Sequence, residues 1–99
     1  MLIAIAKIRV RSGHIDKILP LMQENTEIGT SKEGHLKSYL AKNTENENEL
    51  LVYSLWSDES LYEQARKDIK KDSRTRKAMF HMLRHLAEDP VIETFTVIP

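Results

Sequence analysis

The chain has few side chains that could do chemistry, and its only tryptophan, Trp56, is the most informative of them. Trp56 ends the apolar run of residues 50–56 and stands directly before the polar residues 57–59. An indole at a strand end can pack against a flat aromatic substrate and can donate one hydrogen bond. A tryptophan that only closes the gap between helices and sheet is the more common case, and the two roles are compatible. Trp56 is therefore a candidate pocket wall.

Arg76 is the candidate cation near such a pocket. It precedes an apolar stripe with helical spacing, formed by Met79, Met82, Leu83 and Leu86. At about 100° per residue, Arg76 lies only about 70° from the centre of the stripe and can reach the boundary between helix and sheet. A guanidinium there suits an anionic or oxyanionic substrate, although an ordinary ion pair is the more common role. The two methionines would supply an adaptable pocket wall.

The histidines do not indicate a metal site. His81 and His85 are four residues apart, a spacing with which a helix can hold a metal ion. However, they point about 150° and about 110° away from the centre of the same stripe. The chain has no cysteine, and no carboxylate follows in the metalloprotease pattern. We therefore expect a solvent-exposed helix face and no bound metal, and we expect His14 and His35, beside turn glycines, to lie at the surface.

Composition narrows the function classes further. Fifteen basic and fifteen acidic side chains cancel, which gives no reason to expect nucleic acid or an anionic membrane as a partner. The three glycines lie in separate turns, so no phosphate-binding loop or dinucleotide fingerprint is present and no cofactor is indicated. The apolar start lacks the marks of a signal peptide, and no segment approaches the length of a membrane span. We expect one domain, residues 1–99, in the cytoplasm.

The elements that must position these residues follow from the periodicity. Residues 2–11, 35–42, 50–56 and 91–98 read as strands. A helix is predicted from Ile15 towards Gly29, with Pro20 bending it, and a second helix after Ser57 or Asp58 that breaks near residues 72–73. The order strand, helix, strand, strand, helix, strand predicts an α+β, ferredoxin-like βαββαβ fold. Its four-stranded antiparallel sheet would carry the helices on one face.

The third strand is apolar on both faces. Leu50, Val52 and Trp56 alternate along it with Leu51, Tyr53 and Leu55. The predicted helices can cover only one face of the sheet, so the other face needs a second cover. In a chain of 99 residues, the cheapest cover is a second copy of the same sheet, packed about a two-fold axis. We therefore expect a homodimer that forms through the sheet.

Four stretches resemble a known family. They are MLIAIAKIRVRSGHIDKIL at the start, EGHLKSY at 33–39, NELLVYSLWSDES at 48–60 and the β-rich tail. Together they resemble the antibiotic biosynthesis monooxygenase domain over nearly the whole chain. The resemblance implies a dimeric α+β barrel built from two ferredoxin-like sheets. It also implies an activity among the cofactor-free monooxygenases that oxygenate quinols and polyphenols.

The resemblance also implies site residues. Some monooxygenases of the family pair the tryptophan with a tyrosine and an arginine in the pocket, and Tyr62 and Arg76 are the residues that match. Trp56, Tyr62 and Arg76 are therefore the expected catalytic residues. The chain departs from the family where many members carry a histidine, because it has Ala65 there. It also has Lys7 and no asparagine in the first strand, which argues against haem degradation.

Two functions remain open. The first is a cofactor-independent monooxygenase that acts on a small aromatic or quinol-type substrate. Such chemistry requires only that the protein bind a flat ring, favour its deprotonation and exclude water. The second is a non-catalytic ligand-binding or stress-response dimer of the same fold, which the replacement of the usual histidine by Ala65 favours.

Overall fold

Four apolar or alternating segments pair into one antiparallel sheet. The computed structural model describes all residues from 1 to 99. Its elements in chain order are β1 (Leu2–Arg9), α1 (Ile15–Thr30), β2 (His35–Lys42), β3 (Glu49–Trp56), α2 (Glu59–Lys71), α3 (Ser73–Leu83) and β4 (Val91–Thr96). The strand order across the sheet is β2-β3-β1-β4. This is the ferredoxin-like α+β arrangement that the sequence predicted, with α2 and α3 as the broken helix.

Short acidic side chains set where α2 and α3 begin. Oδ1 of Asp58 accepts a hydrogen bond from the backbone N–H of Leu61 at 2.8 Å, and Oδ1 of Asp72 accepts one from Arg74 at 2.8 Å. Each satisfies an N–H that has no partner within its helix. The backbone hydrogen bond from Leu61 also lowers the pKa of Asp58. The predicted break near residues 72–73 is thus the cap of α3.

The even-numbered residues of the two central strands face the helices. Two core clusters form there. One joins strand residues Ile8, Val10 and Leu50 to Ile18, Met22, Met82 and Leu86. The other joins Leu2, Ala4, Trp56, Tyr62 and Ala65. The core therefore lies between this face and the helical layer, and Trp56 belongs to it.

The odd-numbered face of the sheet is apolar and uncovered in the single chain. Leu51, Tyr53 and Leu55 are only partly buried, and Phe95 on β4 is 48% exposed. A salt bridge of 3.5 Å between Lys7 and Glu93 closes one end of this face. No helix of the chain is both long and apolar enough to span a membrane.

The buried side of α3 differs from the predicted stripe. Met79 and Leu83 are 41% and 48% exposed, whereas Thr75 and Ala78 are buried together with Met82. The reason is that α3 packs mainly against α1 and makes no extensive contact with β4. A gap therefore remains between α3 and the edge of the sheet.

Candidate functional site

A cavity of about 220 Å³ lies between the helical layer and the sheet. Its apolar walls include Met22 from α1, Val52 from β3, Met79 and Met82 from α3, and Ile92 from β4. Its polar lining consists of Asn25, Thr26, His35, Ser38 and Ser54, and Trp56 adds its indole ring to the apolar walls. The cavity occupies the place predicted from the sequence, beside the end of β3 and beneath the two methionines. No Lys, Arg, Asp or Glu lines it.

A β-bulge turns His35 towards this cavity. His35 pairs with Trp56 and Lys37 pairs with Leu55, so the register shifts by one residue between them. Leu36 is the extra residue, and it is 52% exposed. Bulges re-aim side chains in this way, and here His35 moves to the helix-facing side of the sheet. The prediction that His35 lies at the surface is therefore wrong.

Gly34 fixes the start of the bulged strand. Its φ of +89° is one that residues with a side chain rarely adopt. The carbonyl of Gly34 accepts a hydrogen bond of 2.8 Å from the backbone N–H of Ser57, which ties the start of β2 to the end of β3. A Cβ at Gly34 would lie 2.7 Å from the Cβ of Leu61. Only glycine fits this position, one residue before the histidine that lines the cavity.

The His35 ring stands edge-on to the indole of Trp56, with ring centroids 5.3 Å apart and planes at 85°. The Nε2 atom of His35 is buried and has no hydrogen-bond partner. Burial lowers the pKa of His35 from its ordinary value of 6.5, because the charged form loses solvation. The ring is therefore mostly neutral at pH 7, and its Nε2 accepts a hydrogen bond whenever the proton is on Nδ1.

Trp56 presents its ring to the cavity, because its N–H is already bonded. It is only 4% exposed, and Nε1 donates to Oγ of Ser54 at 3.0 Å. Ser54 in turn donates to the carbonyl of Ala4 at 3.4 Å. The predicted hydrogen bond from this indole to a ligand is therefore replaced by one to Ser54. What remains available to a ligand is the apolar surface of the ring.

Tyr62 lies behind the indole. Its ring centroid is 5.4 Å from that of Trp56 at an interplanar angle of 65°, and it is 6% exposed. It is not among the residues that line the cavity. Burial raises the pKa of its phenol, with the guanidinium of Arg66 5.7 Å from the ring centroid acting in the opposite direction. Tyr62 therefore contacts the site through Trp56 and remains protonated at neutral pH.

Arg76 lies outside the cavity lining and is exposed. It stands one turn before Met79, which does line the cavity, so the two residues lie on the same side of α3. Of the three residues predicted as catalytic, the structure thus places Trp56 in the cavity wall, Tyr62 behind it and Arg76 at the surface.

Asn25 is a cavity residue that the sequence reasoning missed. Its Oδ1 is buried without a hydrogen-bond partner. A signal was available in the sequence. Asn25 follows Ile18 and Met22 at the next position of the same apolar stripe, where a polar side chain must face the sheet.

His85 is not fully exposed to solvent but contacts a second histidine, His14. Its Nδ1 lies 2.9 Å from Nδ1 of His14, and both rings are partly buried. Burial is the main cause of the lowered pKa of His85, and His14 adds to it. No group of three or more histidine, aspartate or glutamate side chains is close enough together to hold a metal ion.

Comparison with known proteins identifies sequence and structural relatives. The sequence profile of the family described as antibiotic biosynthesis monooxygenase matches residues 1–68. Among curated protein sequences, none matches this chain significantly. A solved structure described as an antibiotic biosynthesis monooxygenase is similar with a TM-score of 0.82 and 18% identity, over 100% of both chains.

Two further solved structures have the same fold. A conserved protein from Methanosarcina mazei Go1 gives a TM-score of 0.80 at 17% identity, over 95% of this chain and 89% of its own. SnoaB, a cofactor-independent oxygenase from Streptomyces nogalater, gives 0.80 at 10% identity, over 99% of this chain and 93% of its own. At such identities these two structures establish a shared fold.

Proposed function

Because this chain belongs to the antibiotic biosynthesis monooxygenase family, we propose that it is a cofactor-independent monooxygenase acting on a small, electron-rich aromatic such as a quinol. The observation that carries the proposal is the cavity between helices and sheet. It is walled by an indole ring and methionines, and it has a few uncharged polar groups at one end. Concave, mostly apolar pockets with a few convergent polar groups are the usual sites of small-molecule chemistry. The fold relationship to SnoaB agrees with this class of reaction.

The chemistry is carried by the substrate and dioxygen. An aromatic hydroxyl loses its proton, and the electron-rich ring then reduces dioxygen and bonds to one of its atoms. The O–O bond breaks, and the ring carbon loses its hydrogen and becomes a carbonyl. A quinol plus one O₂ thereby gives a hydroxyquinone plus one water. The protein contributes binding, deprotonation and exclusion of water from the ring.

The predicted catalytic residues take different parts in this proposal. Trp56 is the wall against which the substrate ring packs, since its N–H is held by Ser54 and its face is apolar. Tyr62 acts through Trp56, because its ring fixes the indole from behind. Arg76 is proposed to stabilise the phenolate that forms in the cavity, through a positive charge one helical turn from Met79.

A homodimer is part of the proposal. The odd-numbered face of the sheet, with Leu51, Tyr53 and Leu55, carries apolar side chains that no element of the chain covers. A second sheet packed face to face would bury them and give a dimeric α+β barrel. We also propose that residues 1–99 form one domain that acts in the cytoplasm, on the basis of the sequence expectations.

A non-catalytic ligand-binding dimer is the second candidate. The observation in its favour is that Tyr62 and Arg76 do not line the cavity. In addition, Ala65, which stands where many family members have a histidine, is 3% exposed and packs in the core beside Trp56. In this case the cavity would bind an aromatic ligand and release it unchanged.

Oxygen uptake with a panel of quinols separates the two candidates. The purified protein, free of metal and flavin, should consume dioxygen above the autoxidation rate with at least one small quinol. Trp56→Phe should raise KM for that quinol, because the smaller ring leaves part of the wall missing. Fluorescence of Trp56, the only tryptophan, should respond to binding in either case. A fluorescence response without oxygen uptake would favour the binding protein.

A further inference from the structure

The cavity holds two buried polar atoms that no protein group satisfies. They are Nε2 of His35, on the bulge of β2, and Oδ1 of Asn25, on α1. Leaving buried polar atoms without hydrogen bonds is costly, so native structures leave few of them, and each needs an explanation. Because both residues line one cavity, the simplest explanation is a ligand that presents a hydrogen-bond donor to each atom.

We propose that His35 is the catalytic base that takes the proton of a phenolic hydroxyl, and that Asn25 selects substrates with a second hydroxyl. This inference rests on the proposed function and adds to it the proton acceptor and the residue that selects for a second hydroxyl. The substrate is then a dihydric phenol. One hydroxyl donates to Nε2 of His35, and the other donates to Oδ1 of Asn25.

His35 is assigned this role because the cavity offers no other titratable group. The other residues that line the cavity include Asn25 and Thr26 from α1 and Ser54 and Trp56 from β3. None of the lining residues except His35 is ionisable. No charged group adds to the effect of burial on the pKa of His35. The imidazole is therefore held neutral at pH 7, which is the protonation state that a general base needs.

The proton transfer is balanced within the proposed reaction. The O–H bond of the phenol breaks, its proton moves to Nε2 of His35, and the electron pair stays on the oxygen and its ring. The imidazolium and the phenolate attract each other, which offsets part of the cost of forming two charges in a poorly solvated cavity. When the O–O bond breaks later, the leaving oxygen takes one proton from His35 and the other from the ring carbon that becomes the carbonyl, and it departs as water. The base is then neutral again.

The size of the cavity limits the substrate. About 220 Å³ is smaller than the roughly 300–1,000 Å³ of pockets for drug-sized ligands. The methionines Met22, Met79 and Met82 can move to enlarge it only in part, because Met22 and Met82 are also core residues. We therefore assign the site to phenols with one or two rings.

The first test is anaerobic binding of 4-nitrocatechol, whose phenolate absorbs at longer wavelength than the neutral phenol. Titrations are run at a pH where the free probe is mostly protonated. Wild-type protein should bind the probe and increase its phenolate absorbance. His35→Gln can still form hydrogen bonds but cannot take the proton, so it should bind the probe without this change. His81→Gln, on α3 but outside the cavity lining, is the matched control and should behave as wild type.

The second binding test concerns Asn25. Wild-type protein should prefer 4-nitrocatechol over 4-nitrophenol by roughly three- to tenfold in Kd, the ordinary effect of one hydrogen bond. Asn25→Ala should lose this preference while its Kd for 4-nitrophenol changes little. An unchanged preference in Asn25→Ala would overturn the selecting role of Asn25. Thermal melts establish that each variant is folded, and His35→Asn replaces His35→Gln if the latter is not.

Oxygen uptake with 1,4-dihydroxynaphthalene separates this inference from the function on which it rests. The rate for wild-type protein should fall in acid as His35 becomes protonated, and His35→Gln should lose at least tenfold in kcat together with this acid limb. If His35→Gln turns over at the wild-type rate with the same pH profile, His35 is not the base although the monooxygenase stands. If His35-dependent ionisation of the probe occurs without oxygen uptake, the monooxygenase fails and the proton acceptor stands.

Discussion

Replacing Gly34 by alanine should destabilise the protein far more than the same change at Gly13. Both glycines have positive φ angles, +89° at Gly34 and +81° at Gly13, so alanine pays a similar backbone cost of about 1–2 kcal/mol at either. At Gly34 the new Cβ would also lie 2.7 Å from the Cβ and 2.8 Å from the Cδ1 of Leu61. At Gly13 nothing lies within 4 Å.

The difference between the two variants isolates the steric contact. Because the Leu61 Cβ is attached directly to the α2 backbone, it can move only if the start of α2 shifts. Overpacking of this kind costs about 1–3 kcal/mol. We therefore expect Gly34→Ala to lose roughly 2–5 kcal/mol and Gly13→Ala roughly 1–2 kcal/mol. The gain from a less flexible unfolded chain applies equally to both and cancels in the comparison.

Urea unfolding followed by the fluorescence of Trp56 measures both values. A domain with a total stability on the order of 5–15 kcal/mol should remain folded as Gly13→Ala, and as Gly34→Ala when that stability exceeds the loss of roughly 2–5 kcal/mol. Gly34→Ala should also weaken binding of 4-nitrocatechol, because Gly34 positions the bulge that carries His35. Equal losses of stability in the two variants would show that α2 yields freely at Leu61. The account of how β2 and α2 hold His35 in place would then be wrong.

Three further outcomes are expected. Tyr53→Lys should convert a homodimer into monomers in sedimentation velocity, because it places a charge in the middle of the uncovered face; a wild-type monomer at micromolar concentration would refute the dimer. His35 has its ordinary pKa of 6.5 in the unfolded chain and a lower pKa in the folded protein. The free energy of unfolding should therefore fall as the pH drops below about 6.5, and His35→Gln should weaken this pH dependence in urea titrations. Arg76→Ala should lower kcat for a quinol, because the phenolate loses a nearby positive charge, with little change in Tm; an unchanged kcat would remove Arg76 from the site.

The fold could be predicted because local and global signals in the sequence agree. The strands alternate or are apolar throughout, and Asp58 and Asp72 mark the starts of α2 and α3 as capping residues. The sequence also predicted which residues of β3 share a face, since Trp56 and Tyr53 lie on opposite sides of the sheet as expected. Such patterns determine secondary structure and burial with little help from distant contacts.

The site was less predictable because it depends on irregularities. His35 faces the cavity only because a bulge at Leu36 shifts the register. Strict alternation along β2 would instead place His35 on the face opposite to that of Ser38 and Leu40, away from the helices. The buried side of α3 depends on its packing against α1, which no periodicity within α3 reveals. As a result Met79 and Leu83 are more exposed than their spacing suggested. The sequence shows Asn25 as a polar residue in an apolar stripe, but its possible role in ligand binding follows only from the cavity that it lines.

Isotope labelling shows whether an oxygen atom of O₂ enters the product. Purified protein, verified free of metal and flavin, is mixed with 1,4-dihydroxynaphthalene under ¹⁸O₂, and the products are measured by mass spectrometry. The proposed function predicts 2-hydroxy-1,4-naphthoquinone with one ¹⁸O atom per molecule, formed faster than in buffer and lost in the His35→Gln and Trp56→Phe double variant. Formation of only unlabelled naphthoquinone, at the rate seen without protein, would contradict it.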